Sequence, residues 1–341
     1  MDAPMEIWSR RLGDAVRTAL DAGETDEARR LALEGDGLTR NLAKEFSLMA
    51  RGLAITIRVE LETMVATAAR FEGQPGAQRA VDEAAETIHR FRAFLADRFD
   101  LELAPKAVLA DEAKLAADTL DAAVAAFEKA QAAITDQAVA AIDGGDAARA
   151  RALLVAKDEE SYLPFHDAMI RLMADGMGWA LRCFGDDELT RFQMAMAEGQ
   201  RHGFEAWDKL SARDFARVSA FLLRQHMGEA TVTEDDEKFT IDQAVCGSGG
   251  RLRINGAYDG PEALPFVENA GPLTFGKDRL PVYCSHCPIW NGSASIRWFG
   301  YPQWVYSDAS REDGGCVLHI YKSRDATPSD FRKAVTLPDA V

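Results

Sequence analysis

Apolar residues recur at helical spacing through the first two-thirds of the chain, then give way near Met227-Gly228 to a strand-like texture. Trp8, Leu12, Val16 and Leu20 fall on one stripe, and Gly23 offers it a stop. Thr25 caps a second helix over residues 26–33. After the Gly35-Asp36-Gly37 turn the pattern predicts a long helix over 38–71, a break at 73–76, and another helix ending near Phe99. Beyond Pro105 an Ala-rich helix is predicted over 111–142. Residues 229–236 are acidic and polar. Glycine, proline and aromatics rise after them, and strands are predicted at 238–245, 251–254, 280–283, 295–299, 303–306 and 316–322, with an irregular tail. The expected class is α+β: a large all-α N-terminal region followed by a small β domain.

The helical region carries an internal echo. Leu20-Asp21-Ala22-Gly23-Glu24 resembles Ile142-Asp143-Gly144-Gly145-Asp146, and each is followed by an Ala/Arg/Leu helix. Met49-Ala50-Arg51-Gly52-Leu53 then matches Met173-Ala174-Asp175-Gly176-Met177, given a two-residue insertion. Read as a duplication, this divides the chain into two helical-bundle units, 1–104 and 105–228, and a C-terminal domain, 229–341. Gly52 and Gly176 sit inside helices, where glycine costs about 1 kcal/mol relative to alanine. Each is read as allowing close helix crossing or as leaving room for a ligand.

Composition narrows the class. The 341 residues are 47% hydrophobic, enough for real cores, and no apolar run of membrane-spanning length occurs. The start, Met1-Asp2-Ala3-Pro4-Met5-Glu6, lacks the basic and apolar segments of a secretory signal, so a cytoplasmic protein is expected. A net charge of −16 argues against nucleic acid as a partner, and no membrane partner is expected. Self-association stays open.

Four of the five cysteines lie in the last third: Cys246, Cys284 and Cys287 as a C-x-x-C pair, and Cys316. An odd thiol count in a cytoplasmic chain does not read as a disulfide framework, which leaves metal ligation or plain reduced thiols. A C-x-x-C turn presents two sulfurs to one ion, and zinc favours thiolates in a tetrahedral shell. Cys246 precedes Gly247-Ser248-Gly249-Gly250, and Cys316 follows Gly314-Gly315, so both sit beside turns. Cys246, Cys284, Cys287 and Cys316 are therefore the expected ligands of a zinc ion, with long gaps that match no compact finger. Closed by four sulfurs, the site is structural. Left open, with His286 as acid or base and Cys316 as fourth ligand or nucleophile, it is catalytic. His319 lies three residues past Cys316 and points to the other face of a strand.

Around the cysteines, Arg251, Arg253 and Arg297 are candidates to clamp an anionic substrate, and Trp290 and Trp298 to wall its pocket. His166-Asp167 belongs to one repeat only, while His202 and His226 precede the β domain and are placed to face the junction. Cys183, beside Trp179 and Phe184, reads as a small core residue.

The segment Asp313-Gly314-Gly315-Cys316-Val317-Leu318-His319-Ile320-Tyr321-Lys322 resembles the closing strand of the L-2-amino-thiazoline-4-carboxylic acid hydrolase-like family, with Gly300-Tyr301-Pro302 loosely compatible. The resemblance covers at most residues 230–322, and it implies a hydrolase acting on a small heteroatom-rich acid. Two functions are thus expected: a zinc-dependent, hydrolase-like enzyme for a small polar or anionic molecule, or a non-catalytic ligand-binding or regulatory protein with a structural four-cysteine zinc.

Overall fold

A computed structural model describes residues 4–338, so Met1–Ala3 of the N-terminal reading lie outside the described residues. Helices come first: α1 (Leu12–Asp21), α2 (Thr25–Glu34), α3 (Ser47–Arg70), α4 (Ala77–Phe99), α5 (Leu109–Asp143), α6 (Ala147–Val155), α7 (Leu163–Phe184), α8 (Asp186–Gly199), α9 (Arg201–Asp208) and α10 (Ala212–Gln225). A π-helical stretch, Ala156–Tyr162, joins α6 to α7. The C-terminal part holds strands β1 (Glu229–Glu234) and β2 (Lys238–Val245), helix α11 (Gly249–Ile254), and short strands β3 (Phe266–Val267) and β4 (Leu280–Pro281). A second π-helical stretch, Cys287–Ala294, runs into α12 (Ser295–Phe299), followed by β5 (Val305–Asp308), β6 (Cys316–Tyr321) and α13 (Ser329–Val335). The chain is mostly helical with a small antiparallel sheet near its C-terminus, as an α+β reading requires. No helix among the described residues is long and apolar enough to cross a membrane.

The long helices follow their stripes. Met49, Leu53, Ile57, Leu61 and Met64 of α3 pack with Leu120 and Phe127 of α5 and Phe165, Met169 and Met173 of α7. That core continues into Leu252, Val282, Tyr283, Ile289 and Trp290 of the C-terminal part. Helix α3 starts at Ser47, later than the pattern predicts, because polar side chains hold the preceding backbone. The Asp36 carboxylate accepts from the Leu38 and Thr39 amides, and Asn41 caps a 3-10 turn at Leu42–Lys44.

The short N-terminal helices pack on the α5–α6 junction. Arg29 pairs with Asp143, and Arg151 pairs with Asp21, each through Nε. Both pairs join the end of one short helix hairpin to the other, in opposite directions. Leu12, Val16, Leu20, Ala28 and Leu31 share one apolar cluster with Ile142, Ala150 and Leu154.

The sheet is ordered β1-β2-β6-β5 and is antiparallel throughout. In register, Gln243 faces Cys316 and Ile241 faces Leu318. Burial alternates along β6, so Cys316, Leu318 and Ile320 face inward against Phe215, Ala216 and Ala220 of α10 and against Trp8.

Three expectations are corrected. Residues 251–254 form α11, not a strand: the Arg251 amide donates to the Cys246 carbonyl and that of Leu252 to Ser248, and four alternating residues are too few to fix a period. Residues 295–299 form α12, because the buried run from Ile289 to Ser295 is already helical and carries the winding on to Gly300, at φ +82°. The tail is not irregular throughout, since Ser329–Val335 is helical and buries Val335. Strand β1 escaped the pattern because its glutamates and threonines make a polar edge.

Gly176 has a packing reason. A Cβ there would collide with the Glu60 carboxyl, which occupies the space the missing side chain leaves. Nothing lies near the corresponding point at Gly52. Both Glu60 oxygens are buried without a hydrogen-bond partner. Burial, with Asp175 adding to it, pushes the Glu60 carboxyl well above its ordinary value. A raised folded pKa means stability that is full below the unfolded value near 4.5 and is lost as pH rises through the folded one. Glu60→Gln should therefore flatten this part of the profile. Unfolding free energies from urea titration of the two proteins should diverge by about 1–2 kcal/mol in favour of the variant between acid and alkaline pH. Parallel profiles would show that Glu60 ionises freely.

Candidate functional site

Two glycine-bearing loops bring the separated cysteines together. The Cys246 amide donates to the Gly314 carbonyl at 3.0 Å. A Cβ at Gly250 would strike that same carbonyl, and one at Gly249 would press on the Cys284 sulfur. The glycines predicted as flexible turns are thus spacers that let backbone lie on backbone. Gly314, at φ +88°, also needs the left-handed region that glycine enters without cost.

Cys246, Cys284, Cys287 and Cys316 all line one cavity of about 30 Å³, together with Arg253, Tyr283, His286, Tyr306 and Ser310. Cys316 is buried, and the other three are partly so. Burial, reinforced by the neighbouring sulfurs, raises the thiols: Cys284 is pushed up to about 11, and Cys287 and Cys316 also move upward. Among the described residues no group of three or more His, Cys, Asp or Glu is placed so that it could hold a metal ion. What the site offers is four soft donors around a space the size of one or two waters.

The charged neighbour is Arg253. Its Nη1 lies 3.5 Å from the Cys284 sulfur and also donates to Ser310, while its Nη2 donates to the Arg311 carbonyl at 3.0 Å. His286 is oriented by the Tyr283 carbonyl, 2.5 Å from Nδ1, which places the proton on that nitrogen. Its Nε2 then faces the Cys287 sulfur at 3.4 Å as an acceptor. Burial lowers the imidazole to about 4 and raises the Cys287 thiol. The pair is accordingly neutral near pH 7, not a thiolate–imidazolium pair.

The other candidates lie outside this cavity. Arg251 turns to the helices, where it binds Asp167 through Nε and Nη2 and the His226 carbonyl at 2.8 Å. Trp290 is buried beneath the His286 ring, with centroids 4.9 Å apart. Trp298 hydrogen-bonds Glu198 and carries the Arg201 guanidinium on its face. Arg297, on α12, does not line the cavity. His319 faces away, bonded to Thr240 and Ser307.

Long-range folding also builds a network that no spacing announced. The His166 Nδ1–H donates to Asp167 at 2.8 Å, and its Nε2 accepts from the His226 Nδ1–H at 2.8 Å. Burial lowers both imidazoles, His226 further because His166 and Arg251 add to the effect. His166-Asp167 stood out in the sequence, but His226 and Arg251 join it only through the packing of α7, α10 and α11. Cys183, expected in the core, is half-buried at the far end of α7.

No family model, curated protein or solved structure matches the chain.

Proposed function

We propose that the chain is a non-catalytic ligand-binding or regulatory protein whose C-terminal part is fastened by one zinc ion on Cys246, Cys284, Cys287 and Cys316. The observation that carries this reading is the size of the thiol-lined cavity, about 30 Å³, which suits an ion and excludes an organic substrate. The donor set fits zinc, which takes four thiolates in structural sites. Arg253 would stand against the negative charge that four thiolates leave uncompensated. Each thiol gives up its proton on ligation, so zinc uptake should strengthen as pH rises. The test is zinc content together with thiol titration in the folded protein, purified anaerobically. One zinc per chain with only Cys183 open to alkylation supports the reading, and five reactive thiols with no zinc overturn it.

A second reading has one observation in its favour. His286 holds a fixed tautomer with its basic nitrogen toward Cys287, an arrangement suited to proton transfer beside a metal. On it the protein is a zinc-dependent, hydrolase-like enzyme for a small polar or anionic molecule, with His286 and Cys316 catalytic, as the resemblance over 230–322 implies. It requires a coordination position that water can occupy.

A further inference from the structure

If the zinc site is structural, the ligand must be taken elsewhere. A cavity of about 520 Å³ opens at the corner where α3 ends, α4 begins and α7 ends, within the size range of small-molecule sites. One wall is aromatic and fixed. Phe71 stacks on Phe184 with centroids 4.0 Å apart, and Trp179 meets Phe184 edge-on. Trp179 is itself locked by its Nε1–H to the Ala80 carbonyl at 2.9 Å. The polar lining is Arg79, Glu83, Arg182, Gln74 and the Cys183 thiol. Arg182 is committed to Glu83 at 2.7 Å. Arg79 is exposed and has no ion-pair partner among the described residues.

Two arginines face one glutamate here, so the corner is net positive on a chain of net charge −16. The Glu83 carboxylate repels a multiply charged ligand, while the planar fork of Arg79 suits a carboxylate. The thiol contributes no nucleophile: burial, with Glu83, pushes Cys183 up to about 11 against the opposing pull of Arg182 and Arg79.

We propose that this corner is the ligand site, and that it takes a small organic monocarboxylate with an apolar body. The carboxylate pairs with Arg79 and the body lies on the Phe71–Phe184 wall. The proposal rests on the non-catalytic, ligand-binding reading above.

The probe is 1-naphthoate, titrated calorimetrically into the full chain. Saturable one-to-one binding is expected, at least tenfold weaker in Arg79→Gln and for the neutral analogue 1-naphthalenemethanol. Bound naphthoate should also slow alkylation of Cys183. No saturable binding, equal binding of acid and alcohol, or an unchanged affinity in Arg79→Gln would each overturn the proposal. Circular dichroism checks that the variant is folded. Zinc content measured on the same sample separates the two claims: naphthoate failure with four thiols on zinc refutes this site alone, whereas missing zinc refutes the metal reading.

Discussion

Cys316→Ser is expected to lose zinc and about 4 kcal/mol of stability, concentrated in the C-terminal part. Cys316 is buried on β6, between β2 and β5, and faces the core that joins the sheet to α10. A serine there brings two penalties. It leaves a hydroxyl in an apolar setting, at about 1–3 kcal/mol. It also removes one of four ligands, and with it the linkage between ion binding and folding. The two separate when each protein is unfolded by urea with and without zinc. Wild type should be stabilised by the ion, the serine variant should not, and zinc-stripped wild type should exceed the variant only by the hydroxyl penalty, about 1–3 kcal/mol. Cys183→Ser serves as control, since its thiol lies outside the cavity. Equal stabilisation of both proteins by zinc would remove Cys316 from the ligand set.

The second large effect lies far from the cysteines. Lys157 is fully buried in the first π-helical stretch, 2.9 Å from Glu45 and 3.1 Å from Asp158. Its ammonium also sits over the Phe46 ring at 4.5 Å. Glu45 in turn accepts from the Leu12 and Gly13 amides at the start of α1, and Gln225 reaches the Glu45 carbonyl from α10. One cation thus ties the N-terminal hairpin, the approach to α3 and the last helix together. Lys157→Met keeps the volume but strands two buried carboxylates, which costs about 3–5 kcal/mol. Burial pulls the ammonium down, yet Asp158 and Glu45 hold it above its ordinary 10.5. That stability is complete below 10.5 and is lost only as pH climbs through the higher folded value. In the variant, however, burial, which already raises the Glu45 carboxyl with Lys157 present, lets a stranded carboxylate take up a proton, so the loss of stability should be larger at pH 9 than at pH 6. Adding Glu45→Gln should recover part of the loss, since removing both partners is milder than orphaning one. No recovery would mean that Lys157 acts by packing alone.

Local pattern carried the helices well. The stripe from Met49 to Met64 is a regular core face, and Ala77–Phe99 and Leu109–Asp143 begin within a few residues of where their breakers place them. It failed where a backbone conformation is set by distant contacts. Residues 251–254 alternate polar and apolar, but the glycine contact with Gly314 and the hold of Asp167 on Arg251 wind them into α11. The four C-terminal cysteines stood out by residue type alone, beside turns and strand starts. Their shared cavity did not, since it depends on glycine spacers meeting across loops. Arg251 and Arg253 illustrate the limit. They are two residues apart and chemically identical, yet one serves the helices and the other the sulfurs. The ligand corner was invisible for the same reason: Arg79 and Cys183 become neighbours only when α4 packs on α7.

X-ray absorption at the zinc edge, on the full chain purified without oxygen, reads the donor atoms around the ion. A zinc ion on Cys246, Cys284, Cys287 and Cys316 should give a shell of four sulfurs at about 2.3 Å. A shell containing an oxygen or nitrogen donor, or protein with no zinc to measure, would contradict that assignment.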